Sequence, residues 1–213
     1  MNYIVNGVTI RSENAAKPHT MPSGYLCNYI EQRAESGRAL DFGCGKLRYS
    51  EQLINKFDEV TFLDSKKQLE RIQIIRGVKT TVTEYVSKNY KKANAISFEE
   101  LEKNSTQYDF ILCSNVLSAI PCKLTIDKVL SNIKILLNEN GEALIVNQYK
   151  SSYFKKYESG IRHLYGYIYK NAHNSFYYGL LNEDIVANIC IENGLSVIDS
   201  WTNAGSSYVI VAR

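Results

Sequence analysis

No stretch of this 213-residue chain approaches the run of roughly eighteen apolar residues that a membrane-spanning helix needs. Its start, Met1-Asn2-Tyr3-Ile4-Val5-Asn6-Gly7, lacks the basic-then-apolar order of a secretory signal. Both absences predict a soluble, cytoplasmic protein with no membrane partner. The five cysteines (Cys27, Cys44, Cys113, Cys122 and Cys190) are odd in number, scattered and never in a Cys-x-x-Cys pair, which argues against a disulfide framework and a zinc site. No metal is expected. A formal net charge of +3 is too small to argue for nucleic acid from the overall field. There is no internal repeat and no low-complexity segment. What the chain does have is 45% hydrophobic residues over a length that suits one domain with one substantial core.

The rest is organised around Arg38-Ala39-Leu40-Asp41-Phe42-Gly43-Cys44-Gly45-Lys46. A short apolar run ends in an acid, two glycines follow one residue apart, and a helical pattern continues from Arg48 to Phe57. A strand, tight turn and helix in that order present a nucleotide-like ligand at the carboxyl end of the first strand of an α/β protein. The dinucleotide fingerprint wants a third glycine at position 48, where this chain has Arg48, so a pyrophosphate-binding turn fits poorly. A second apolar run, Val60-Thr61-Phe62-Leu63, ends in Asp64, nineteen residues after Gly45. An acid at that distance is placed to meet ribose hydroxyls.

These features together resemble the class I S-adenosylmethionine (SAM) dependent methyltransferases. The resemblance implies an α/β, Rossmann-like fold with a seven-stranded, mostly parallel sheet, SAM as cofactor and S-adenosylhomocysteine as product. It implies that Asp41, Gly43, Cys44 and Gly45 face the methionine part, that Asp64, followed by Ser65, holds the ribose, and that Asn94 or Ser97 replaces the family's acid near the adenine. Residues ahead of the first strand, His19 and Thr20, would reach the methionine carboxylate. Ser114 and Asn115 would line the pocket beside the transferred methyl, with Asn115 among the candidate catalytic residues. Leu47 stands where many relatives carry a third glycine, which keeps a non-catalytic SAM-binding protein as the alternative.

The remaining elements follow from periodicity and caps. Residues 1–24 are an arm and lead-in, with an Asn-Gly hairpin inside it, and residues 25–213 the domain. A helix carries Leu26, Ile30 and Ala34. Ser65 caps a helix from Lys66 to about Ile75, with Leu69, Ile72 and Ile75 on one stripe and Gly77 beyond its end. Val78 to Lys92 is ambiguous between strand and helix, with a short helix favoured. Further strands fall at Ala93–Ile96, from Tyr108 onward, Glu142–Asn147, Leu195–Asp199 and Ser207–Ala212. Helices fall at Thr125–Leu137 and Glu183–Glu192.

The run from Tyr108 through Asn115 continues without the Asp/Asn-Pro-Pro-aromatic tetrad of the exocyclic-amino methyltransferases of DNA. Its form is closer to the small-molecule and RNA-modifying branches. An insertion at about 150–178 then ought to choose the substrate. Eight of the sixteen tyrosines lie between Tyr149 and Tyr178, and Lys150, Lys155, Lys156, Arg162 and Lys170 face the single acid Glu158 up to Lys170. Basic residues among aromatics can track a phosphate backbone and stack bases, form a lid with solvated lysines, or wall a pocket around a sulfonium. The methyl acceptor therefore stays open between a small molecule and a nucleobase. His163 and His173 are the candidate general bases, since histidine titrates near neutral pH.

Overall fold

The computed structural model describes residues 2–12, 21–33, 36–101, 106–150, 152–171 and 174–213. In chain order the elements are β1 (Asn2–Val5), β2 (Val8–Arg11), α1 (Gly24–Glu31), β3 (Arg38–Phe42), α2 (Ser50–Lys56), β4 (Glu59–Asp64), α3 (Lys66–Glu70), β5 (Gln73–Ile75), β6 (Val78–Thr80), α4 (Val82–Asn89), β7 (Ala93–Ser97) and α5 (Phe98–Leu101). They continue with β8 (Tyr108–Ser114), α6 (Lys123–Leu136), β9 (Leu137–Gln148), β10 (Ile161–His163), β11 (Gly166–Lys170), β12 (Ser175–Gly179), α7 (Glu183–Glu192), β13 (Ser196–Asn203) and β14 (Ser206–Ala212). Seven strands form one sheet in the order β13-β14-β9-β8-β3-β4-β7. The pairs β3/β4, β3/β8 and β4/β7 are parallel, whereas β14 runs antiparallel to both β9 and β13. This is the expected Rossmann-like α/β sheet. The chain divides into two compact units, Ala16–Leu112 and Met1–Ala15 with Cys113–Arg213.

In the Ala16–Leu112 unit, interior strands bury Leu40, Phe42, Phe62, Leu63, Ile111 and Leu112, which is why they read as unbroken apolar runs. Helix α1 starts at Ser23, whose hydroxyl accepts from Leu26 N, and buries Leu26 and Ile30. Helix α2 begins at Ser50, two residues after the expected start, because residues 45–49 are still turn.

The larger departure is the segment after Asp64. Helix α3 stops at Glu70, and the expected continuation to Ile75 is instead the antiparallel hairpin β5–β6, in register Gln73↔Thr80 and Ile75↔Val78. Arg76 and Gly77 both take positive φ (48° and 82°), the requirement of a two-residue hairpin turn that matches strand twist. Gly77 is therefore a hairpin residue. Helix α4 follows, opened by a reciprocal cap in which Thr81 accepts from Glu84 N and Glu84 from Thr81 N.

In the other unit, α6 buries Ile126, Val129, Leu130, Ile133 and Leu136, and passes directly into β9, which starts at Leu137 rather than at the expected Glu142. The insertion folds as a short 3-10 segment, Ser152–Ser159, and a three-stranded antiparallel sheet β10-β11-β12. One face of that sheet has Ile168 opposite Tyr177. Both are buried against Val8 and Ile10 of the N-terminal hairpin, with Tyr3 and Val5 at the margin. The arm's Asn6-Gly7 turn is thus part of the hairpin that covers the insertion.

Candidate functional site

The glycine turn and the acid after β4 are built as one unit of hydrogen bonds. Parallel pairing of β3 with β4 runs to Phe42↔Leu63, and the amides of Gly43 and Cys44 then both donate to the Leu63 carbonyl, at 2.7 and 3.0 Å. The Gly45 amide donates to Asp64 Oδ2 at 2.9 Å, and the Ser65 amide to Asp64 Oδ1 at 2.7 Å, with the Ser65 hydroxyl on the same oxygen at 3.3 Å. Gly43 and Gly45 hold φ of 81° and 56°, where a Cβ is disfavoured. Leu47 holds 59° as well. Its side chain is fully buried, and that burial offsets the roughly 1–2 kcal/mol of left-handed backbone, so the third position of the turn is met without glycine.

Gln68, absent from the candidates read in the sequence, completes the turn. Its Nε2 donates to the Gly45 carbonyl at 2.5 Å, while its side chain is buried and its Oε1 has no partner. The Ser65-x-x-Gln68 spacing is the signature of a reciprocal helix cap, and half of that cap forms, with Gln68 N donating to Ser65 Oγ at 3.3 Å. The amide side chain has turned to the glycine loop instead.

Electrostatics concentrate at the same place. Asp41 is buried, and burial first and the Asp64 charge second push its carboxyl up to about 7. Asp64 is also raised by burial, against the lowering effect of the Gly45 and Ser65 donors. Burial and both carboxylates raise the Cys44 thiol. Ser97 is paired in register with Asp64 at the carboxyl ends of β7 and β4 and is buried, its amide donating to Glu100 at 2.7 Å. Asn94 is not brought to that end: it pairs in register with Thr61, three residues earlier on each strand, and accepts from the Thr61 hydroxyl at 2.9 Å.

In the unit containing β9 and the insertion, a second set of bonds ties the ends of two strands. Asn115 takes a φ of 58°, a conformation Asn tolerates better than most residues. Its amide N–H donates to the Val146 carbonyl at 2.7 Å, its Oδ1 accepts from Gln148 N at 3.0 Å and its Nδ2 donates to Ser114 Oγ at 3.1 Å. The Tyr178 hydroxyl donates to the Gln148 carbonyl. His163 lies half-buried with its Nε2 2.7 Å from the Pro121 carbonyl, so Nε2 carries the proton and Nδ1 is left as acceptor. His19, Thr20 and His173 lie outside the described residues.

All five cysteines are thiols rather than disulfides. Among the described residues no group of three or more His, Cys, Asp or Glu side chains could hold a metal, and no helix is long and apolar enough to cross a membrane.

A family model described as a methyltransferase domain matches residues 40–143, which include the glycine turn, Asp64 and Ser97. The uncharacterized protein YmfD of Escherichia coli K12 is 65% identical over 211 residues, covering 99% of this chain and 96% of that one. Among solved structures, a SAM-dependent methyltransferase of Methanosarcina mazei superposes with a TM-score of 0.62 at 15% identity, over 89% of this chain and 96% of the other. The N-methyltransferase NodS of Bradyrhizobium japonicum, in complex with S-adenosylhomocysteine, superposes with a TM-score of 0.57 at 13% identity, over 91% and 84%. At those identities the likeness is one of fold. With the methyltransferase model lying over the turn and both strand-end positions, the chain carries a methyltransferase domain, on the fold of the SAM-dependent methyltransferases.

Proposed function

We propose that Asp41, Gly43, Gly45, Asp64, Ser65 and Ser97 hold SAM, and that the chain passes its methyl group to a small-molecule acceptor. The observation that carries this reading is the Asp64 carboxylate, fixed at the end of β4 by the Gly45 and Ser65 amides. Each carboxylate oxygen can accept two hydrogen bonds: Oδ2 holds only the Gly45 amide and has a place for one ribose hydroxyl, and the second hydroxyl would take the place of the long 3.3 Å bond from the Ser65 hydroxyl on Oδ1, so the group fits. A dinucleotide fits less well, because the amides of Gly43, Cys44 and Gly45 are spent on Leu63 and Asp64 and are not left to cradle a pyrophosphate. Bound there, SAM supplies a methyl group on a positively charged sulfur, open to in-line attack by a lone pair. Buried acids suit that charge, and orientation of the acceptor supplies much of the acceleration.

A small acceptor is favoured by how the insertion spends its aromatics. Tyr157 stacks on Tyr178 with ring centroids 5.6 Å apart and meets Tyr169 edge-on at 5.3 Å, while Arg162 lies 5.1 Å over Tyr167. Rings already stacked on one another are poor platforms for bases, which supports a wall or lid. With its Nε2–H committed to Pro121, His163 would act as a general base only through Nδ1.

Titration calorimetry tests the cofactor site. Asp64→Ala should lose most of the affinity for SAM and S-adenosylhomocysteine, since charge-assisted bonds of roughly 1.5–3 kcal/mol each disappear. Unchanged affinity in a folded variant would remove the assignment, and a thermal shift with NAD but none with SAM would restore the dinucleotide reading.

A further inference from the structure

Arg48 is half-buried at the exit of the glycine turn, yet among the described residues its guanidinium joins no ion pair. Nη2 donates to the Met21 carbonyl, Cζ lies 5.3 Å from the centre of the Tyr49 ring, and Nε is shut off from solvent with no acceptor. A cation taken partly out of water needs an anion, and a main-chain carbonyl answers one of its five donors and none of its charge. Its neighbour Tyr49 accepts from the Ser23 amide at 3.3 Å, so two consecutive residues after the turn strap the segment that leads into α1. Burial and Glu31 raise the Cys27 thiol while Arg48 lowers it, which places the guanidinium beside that helix. Glu31 itself is exposed and joins no ion pair among the described residues. The charges that act on Asp41 and Asp64 do not include Arg48. The turn is therefore flanked by buried acids on the strand side and by an unanswered cation toward α1.

On the reading that the glycine turn holds SAM, we propose that Arg48 is the counter-ion of the carboxylate at the amino-acid end of that ligand. SAM carries its ribose diol and its carboxylate on opposite sides of the sulfonium, so a ligand held by the ribose at Asp64 presents its carboxylate away from the acids of the strands. A planar guanidinium with donors to spare takes a carboxylate through two parallel hydrogen bonds. The same contact makes Arg48 a specificity residue, selecting ligands that keep the amino-acid carboxylate over those that have lost it.

Calorimetry on the full chain compares SAM with decarboxylated SAM, which keeps the adenosine, the sulfonium and the amine and lacks only the carboxylate. The parent chain should bind SAM at least tenfold more tightly. Arg48→Gln should weaken SAM tenfold or more without weakening decarboxylated SAM, so that the preference disappears, while Arg48→Lys, which keeps the charge but not the fork, should retain part of it. If Arg48 serves only to strap the lead-in through Met21, Arg48→Gln will weaken both ligands alike, and that result would overturn the proposal. So would equal affinity of the parent chain for the two ligands, a comparison that needs no variant to fold. A parent chain that binds neither ligand brings down the cofactor site and this role of Arg48 together, whereas SAM binding that Asp64→Ala abolishes and Arg48→Gln leaves untouched overturns the role of Arg48 alone.

Discussion

A carboxyl group buried one strand away from a second carboxylate is costly to ionise, and Asp41 is pushed up to about 7 on that account. In the unfolded chain it ionises near 4. Between roughly pH 4 and 7 the folded state therefore holds a proton that the unfolded state has released, so stability falls as pH rises through that window and stays lower above it. Asp41→Asn should flatten this slope and raise the urea midpoint at pH 8. Relative to that variant, the parent chain should lose on the order of 2 kcal/mol between pH 5 and 8, and equal slopes in the two proteins would refute the assignment. A bound sulfonium favours the ionised acid, so SAM affinity should rise from pH 6 to 8, and more than that of S-adenosylhomocysteine. Gln68 makes a second residue-scale prediction. Gln68→Leu keeps the volume but loses the bond to Gly45, which should weaken SAM binding by about 1 kcal/mol with the fold retained. Calorimetric affinity equal to the parent's would show that the turn holds its shape without the clamp.

At the scale of elements, long apolar runs and capped helices were legible in the sequence: β3, β4, β8 and α7 lie where their residues predict. The segment after α3 was not. Leu69, Ile72 and Ile75 have helical spacing, but Ile72 is exposed, and a stripe that is not buried gives no helix. The first turn residue is Arg76, not the Asn or Asp that announces a two-residue hairpin, so only Gly77 was left as a signal. The insertion's tyrosines were visible as a cluster, yet their partners are set by strand register, Tyr167↔Tyr178 and Tyr169↔Phe176, which composition does not reveal. Since those rings stack on one another, replacing Lys155, Lys156, Arg162 and Lys170 by Ala should leave SAM affinity within twofold of the parent's. Filter binding should find no salt-dependent affinity for RNA or single-stranded DNA in either protein. A log-log salt slope in the parent that shrinks by about 0.7 per cation removed would instead establish a phosphate-tracking surface.

For the whole molecule, local patterns mark most strands and helices of the sheet, whereas the work of the N-terminal arm depends on contacts about 160 residues away in sequence. Alternation in residues 3–10 predicts a hairpin; nothing local says that Val8 and Ile10 will be buried against Ile168 and Tyr177. The two hydrogen-bond sets divide in the same way, since the Gly45–Asp64 bond follows from a recognisable strand–turn–helix and the Asn115–Gln148–Tyr178 chain does not. The arm is grouped with Cys113–Arg213, whereas the glycine turn and Asp64 belong to Ala16–Leu112. Deleting residues 1–12 should therefore separate two properties. Ile168 and Tyr177 lose their cover, at a cost of roughly 1.5–3 kcal/mol for each large side chain exposed, and amide hydrogen exchange in β11 and β12 should accelerate. SAM affinity should stay within about twofold, because every residue assigned to the cofactor lies in the other unit. Ile10→Ala is the milder form, expected to cost about 2–5 kcal/mol and to raise exchange in the same two strands. If the deletion leaves β11 and β12 as protected as in the parent, the hairpin is not what holds the insertion.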